Sequence, residues 1–380
     1  SLLILDLNGS KTASNGGWGY PVIAGNLHNF GGRINMHGDL ALLASNQYKK
    51  AKARYPNVCG SGLFMEAIEQ NPVYYDLAFE MPNHTDSIHL QGWLAAYAER
   101  RYGAKSAAAE KAWMYLLEGP YRRGTNGTER SSIVAARPAL DVKKSGPNAG
   151  LGIPYEPMLI IQAQAQLLKD ADKLAASKPY RFDIVDVQRQ MMTNLGQLVH
   201  KKAAEAFVAK DKAAFTLHSR RFLELLSDMD ELLYTRSEYS FDKWLTEARS
   251  WGETKEEKDL MERDATSLVT IWGADGDPRI FDYSWREWAG LINGYYLPRW
   301  QKFYTMLQGH LDAGTDYQEE GLPLAYGRED FRANDFYNQL ADWELAYVVQ
   351  TDKARIPVTR GDELVITRRL FLSLIHISEP

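Results

Sequence analysis

Three short apolar runs open the chain, and each ends in polar residues. Leu2-Leu-Ile-Leu-Asp-Leu7 carries one acid near its end. Pro21-Val-Ile-Ala-Gly-Asn-Leu-His-Asn-Phe30 leads into Gly31-Gly32, and Val58-Cys-Gly-Ser-Gly-Leu-Phe-Met-Glu66 closes on a carboxylate. Runs of this length read as strands, the first of them buried. Leu40, Leu42, Leu43 and Tyr48 predict a helix over 38–54, between the second run and the third. Strands alternating with a helix point to β/α units on a parallel sheet. Polar residues gathered at strand ends match the way barrel enzymes seat their chemistry.

From residue 86 onward the period becomes helical. Asp86 is placed to cap a helix reaching about residue 102, with Leu90, Trp93, Leu94 and Tyr97 on one side. Further helices are predicted over 107–117, through Met158, Ile161, Ala165 and Leu168, and over 182–208 with Met191, Leu195 and Leu198 in register. The clearest stripe is Phe222, Leu225, Leu226, Met229, Leu232 and Leu233. Helices over 243–251, 255–271, 284–311 and 329–349 complete a helical domain of packed pairs. Loops interrupt it at 119–148 and 272–282.

Composition narrows the options. The 380 residues hold 44 Lys+Arg against 49 Asp+Glu, a net charge of −5, with 45% hydrophobic and 24% charged residues. These values exclude whole-chain disorder. They argue against nucleic acid as a partner, since a mildly acidic chain lacks a footprint for phosphate. No stretch approaches 18 consecutive apolar residues, so no membrane span is expected. The single Cys59 excludes an internal disulfide and a cysteine-based zinc cluster. Ser1 is not a methionine, and the chain reads as a piece of a longer protein beginning within a domain. The last nine residues, 372–380, resemble a translated sequencing adapter and read as a non-native tail.

Dinucleotide, phosphate, zinc-protease and nucleophile-elbow motifs are all missing. Asp275 and Asp277 lie in a Gly-rich turn better explained by solvation than by metal; no metal or cofactor is expected. Glu66 is the most informative residue. A carboxylate at the end of an apolar run is costly unless it has a partner or a task. If the three runs are neighbours, Asp6, His28, Asn29 and Glu66 meet on one rim, a set suited to sugar hydroxyls and acid/base or nucleophilic work. Glu66 could equally be a first-turn acid of the next helix, and His28 a satisfied core histidine.

Ordered motifs then identify a family resemblance. Leu27-His-Asn-Phe-Gly-Gly32, Gly60-Ser-Gly-Leu-Phe-Met-Glu66, Gln70-Asn-Pro-Val-Tyr-Tyr75 and Tyr97-Ala-Glu-Arg-Arg-Tyr-Gly103 resemble the α-N-acetylglucosaminidases of glycoside hydrolase family 89. Arg137-Pro138, Trp272-Gly273, Asp282-Tyr283, Ala289-Gly-Leu291 and Tyr295-Tyr-Leu-Pro-Arg-Trp300 follow in the same order.

The resemblance implies an α/β plus all-α chain: the last strands and helices of a (β/α)8 barrel over 1–85, then a large C-terminal α-helical domain over 86–371. It implies an exo-acting, retaining hydrolase that releases terminal α-linked N-acetylglucosamine from glycans, with Glu66 as nucleophile. The acid/base would belong to an upstream segment, leaving the fragment inactive alone. Hydrogen-bond donors are expected around Glu66, from Asn29 or His28. Trp272 and Tyr283 are implied as sugar contacts, against ordinary packing of Trp272 on Trp285 or Trp288. The loop carrying them is longer than in the animal member, which bears on the reach of Ile280. Glu129 stands where the animal member has a histidine and is carried as a further substrate contact. The family implies a periplasmic or secreted enzyme if bacterial and a lysosomal one if animal. The competing reading is a non-catalytic helical module that binds glycans or proteins; oligomeric state cannot be read.

Overall fold

The computed structural model describes residues 2–124, 130–147, 150–272, 281–318 and 334–374. The chain divides into two compact units: Ser1–Glu129 with Ile153–Tyr180, and Arg130–Gly152 with Arg181–Pro380.

The first unit holds three parallel strands in the order β1 (Ile4–Asp6), β2 (Val22–Asn26) and β3 (Val58–Leu63). Register pairs Asp6 with Ala24 and Asn26 with Leu63. Because all three run the same way, their polar C-terminal ends lie on one edge. The Phe64 N–H donating to the Asn26 carbonyl at 3.0 Å carries the pairing one residue past β3. The first run is not buried as expected: Leu2, Leu3, Leu5 and Leu7 are exposed, since β1 pairs on one side only, and the inward face carries the half-buried Ile4 and the buried Asp6.

The helix expected over 38–54 is two helices, Leu40–Ala44 and Gln47–Arg54. Asn46 separates them in the left-handed conformation (φ 57°), where asparagine is among the few tolerated side chains. Its side-chain oxygen caps the second helix through the Lys49 N–H at 3.2 Å. Helices Pro72–Glu80, Leu90–Tyr102, Ala107–Glu118 and Met158–Lys169 complete the unit's main elements. His89, not Asp86, caps Leu90–Tyr102 by accepting from the Gly92 N–H at 3.1 Å. Met158–Lys169 buries Ile160, Ala163 and Leu167, a stripe rotated from the expected Met158, Ile161, Ala165 and Leu168.

The second unit is helical. Lys212–Leu233 buries its whole predicted stripe from Phe222 to Leu233. Phe222 lies against Trp300 of helix Leu297–Ala313, ring centroids 4.7 Å apart. Along Lys178–Val208, Met191 and Leu195 are buried but Leu198 is exposed. Phe241–Arg249 and Lys255–Leu268 form a hairpin, the second started by a Thr254/Glu257 capping box. The helix expected from residue 284 starts later, at the π turn Ile292–Tyr296. Residues 284–288 are instead a buried connection, because Glu287 is committed to Ser132, Arg189 and Thr193 from other segments.

Candidate active site

β2 and β3 deliver residues 27–31 and 64–66 side by side. There the Glu66 carboxylate accepts a hydrogen bond from the Gly31 N–H, and the Glu66 N–H donates to Asn29 Oδ1 at 3.0 Å. Gly31 adopts φ 63°, which an L side chain enters only with strain, so the residue type frees this amide to turn toward the acid. Glu66 itself is exposed rather than desolvated. The next helix begins at Pro72, which rules Glu66 out as a first-turn acid.

Asn29 and His28, the donors expected at Glu66, take other roles. Asn29 reaches Glu66 as an acceptor from its backbone, while the carboxylate is held by the Gly31 amide. The buried His28 turns inward: Nδ1 faces the Tyr75 hydroxyl at 3.0 Å and Nε2 the His37 carbonyl at 3.1 Å. Its ring stacks between His37 (4.1 Å) and Tyr74 (3.8 Å). Burial, and secondarily the charge His37 would carry, pull its pKa well below the usual histidine value, so the ring is neutral. Gly38 makes this stack possible, since a Cβ there would fall 2.5 Å from the Tyr74 ring. Asp6 does not join Glu66. It accepts from Thr12 N–H (2.7 Å) and Oγ1 (2.6 Å); burial opposes its charge, yet these bonds bring its pKa below the ordinary range.

Sequence reasoning gave no role to Gln70, Asn71, Tyr74 and Tyr75. Gln70 donates to Tyr75 and to the Ala67 carbonyl, and Asn71 accepts from the His37 N–H (3.0 Å) and the Tyr121 hydroxyl (2.9 Å). The available signal was two amides and two tyrosines within ten residues of Glu66.

In the second unit, Trp272 and Tyr283 come together, ring centroids 4.6 Å apart and half-buried. The Trp272 N–H donates to Ser267 (2.6 Å) and the Asp282 N–H to Thr270 (2.9 Å), which fixes both ends of the loop. Trp288 packs on Trp244. Arg299 holds Asp282 (3.1 Å) and Glu344 (3.1 Å) in a buried ion-pair cluster, and Arg137 joins Glu344 at 3.2 Å. Glu129, Asp275, Asp277 and Ile280 lie outside the described residues.

Structures that share this fold are glycoside hydrolases. A family 89 enzyme from Clostridium perfringens bound to PUGNAc superposes with a TM-score of 0.86 at 28% identity, over 98% of this chain and 41% of that one. The same TM-score, identity and coverage hold for a double glutamate-to-glutamine form from that organism in complex with its substrate GlcNAc-α-1,4-galactose. The C-terminal domain model of α-N-acetylglucosaminidase matches residues 93–373, and the model of its tim-barrel domain matches residues 1–85. Human α-N-acetylglucosaminidase is 33% identical over 386 aligned positions, covering 98% of this chain and 48% of the human protein. The chain therefore belongs to the α-N-acetylglucosaminidase family, glycoside hydrolase family 89, and spans about half the length of the curated relative it matches.

Proposed function

We propose that this chain is the C-terminal part of an exo-acting, retaining α-N-acetylglucosaminidase with Glu66 as its nucleophile. In this assignment residues 1–85 are the last part of a (β/α)8 barrel, 86–371 the helical domain and 372–380 a non-native tail. One observation carries the reading: Glu66 stands exposed at the end of β3, with its backbone bonded to Asn29 and its carboxylate to the Gly31 amide. A nucleophilic carboxylate must be aimed at the anomeric carbon, and two hydrogen bonds fix where this one stands.

The chemistry takes two steps. Glu66 forms a bond to the anomeric carbon as the glycosidic C–O bond breaks, and a second carboxylic acid protonates the departing oxygen. That second group, now a carboxylate, takes a proton from water, which displaces Glu66 and releases the sugar with its configuration retained. The two carboxyl groups must sit about 5–5.5 Å apart. The second belongs to an upstream segment in this proposal, so residues 1–380 alone are inactive. Two glutamates replaced in the substrate complex of the Clostridium perfringens relative fit a two-carboxylate cycle. Trp272 and Tyr283 are assigned as sugar contacts, since an indole face suits the C–H face of a pyranose; His28, Asn29 and Glu129 are assigned as further substrate contacts.

The test is turnover of an aryl α-N-acetylglucosaminide by the complete protein. Glu66→Gln is expected to lower kcat by about 10³-fold or more, the scale of losing a covalent nucleophile. Near wild-type turnover would remove the assignment.

A further inference from the structure

The Tyr75 hydroxyl is buried and has three polar neighbours on the same small volume: His28 Nδ1 at 3.0 Å, Asn29 Nδ2 at 3.5 Å and Gln70 Nε2. Their proton positions follow from what lies beyond them. His28 Nε2 faces a carbonyl oxygen, which can only accept, so Nε2 carries the ring proton and Nδ1 offers a lone pair. The Tyr75 O–H therefore donates to Nδ1, and its oxygen accepts from the two amides.

Those amides hold the backbone at and just after the nucleophile. Asn29 and Gln70 each donate to the Ala67 carbonyl at 3.2 Å, and Asn29 Oδ1 accepts from the Glu66 N–H. An oxygen is required at that last position because the group facing it is a donor, which fixes the Asn29 amide orientation. One buried phenol thus gathers both side chains that grip residues 66 and 67.

We propose that Tyr75 is a positioning residue for Glu66, acting through Asn29 and Gln70, with His28 in the Nε2-protonated tautomer as the acceptor that orients its hydroxyl. This rests on Glu66 being the nucleophile.

The experiment uses the complete protein and an aryl α-N-acetylglucosaminide. Tyr75→Phe is expected to lower kcat about tenfold with KM within about twofold, because misplacing a reacting group costs the transition state more than ground-state binding. An unchanged kcat, or a loss confined to KM, overturns the proposal. Should Tyr75→Phe fold poorly, the wild-type protein still decides: ¹⁵N NMR of His28 is expected to show an unprotonated Nδ1, and a protonated Nδ1 overturns the arrangement. Glu66→Ala with added azide separates the two layers. Azide-restored turnover beside a Tyr75→Phe variant of wild-type kcat would sink the positioning role alone. Full activity of Glu66→Ala without azide would sink the nucleophile reading and this proposal with it.

Discussion

Glu66 differs from its polar neighbours in what its side chain is left to do. His28, Asn29, Gln70 and Asn71 are buried and bonded within the fold, whereas Glu66 is held by the Gly31 amide and stays open to solvent. Its prominence was legible in the sequence because it closes an apolar run at a strand end. The Gly31 contact was not, since nothing in the spacing says which amide will turn toward it across 35 positions. Trp272 and Tyr283 were paired by resemblance, and the fold places their rings in contact. In the proposed site Trp272→Ala removes a stacking face. It is expected to raise KM about tenfold, a loss within the range of aromatic contacts, with kcat less affected, in initial-rate kinetics on the complete protein.

Among the elements, long amphipathic helices were the most readable. The Phe222–Leu233 stripe is fully buried because a helix period of 3.6 and one apolar face leave a single way to pack. Boundaries were less so: a left-handed Asn46 split one expected helix, and buried Glu287 delayed another. Helix Lys178–Val208 carries a pH-dependent weakness. His200 is buried against the Tyr304 hydroxyl at 2.9 Å, and burial, opposed by the nearby Leu140 and Ala139 carbonyls, holds its pKa down to about 4. The unfolded chain takes up a proton near pH 6.5 and the folded one does not. Stability is therefore full above pH 6.5 and falls as the pH drops from 6.5 toward 4, by roughly 3 kcal/mol from this group. Urea unfolding of the chain at several pH values should show this slope, and His200→Gln should flatten it.

At the scale of the whole molecule, each unit is tied together by contacts far apart in sequence. In the second unit Arg299 reaches Asp282, Glu344 and the Ala135 carbonyl (2.6 Å), joining three distant stretches in one buried cluster. Burial disfavours its charge, but Asp282 and the other neighbours raise its pKa above the ordinary arginine value, so it stays protonated. Arg299→Ala leaves two buried carboxylates without that partner and is expected to cost about 3–5 kcal/mol in urea unfolding. A loss below about 1 kcal/mol would mean the carboxylates find water or other partners. Among the described residues no helix is long and apolar enough to cross a membrane.

The sequence by itself determined the parallel strands, the Phe222–Leu233 stripe and the family, because periodicity and ordered motifs are properties of neighbouring residues. Tertiary structure decided which atoms meet: the Gly31 amide on Glu66, the Tyr75 hydroxyl on His28 and Arg299 among its acids. Such contacts depend on three-dimensional closure over tens to more than a hundred positions, and buried polar groups take whichever partner that closure supplies.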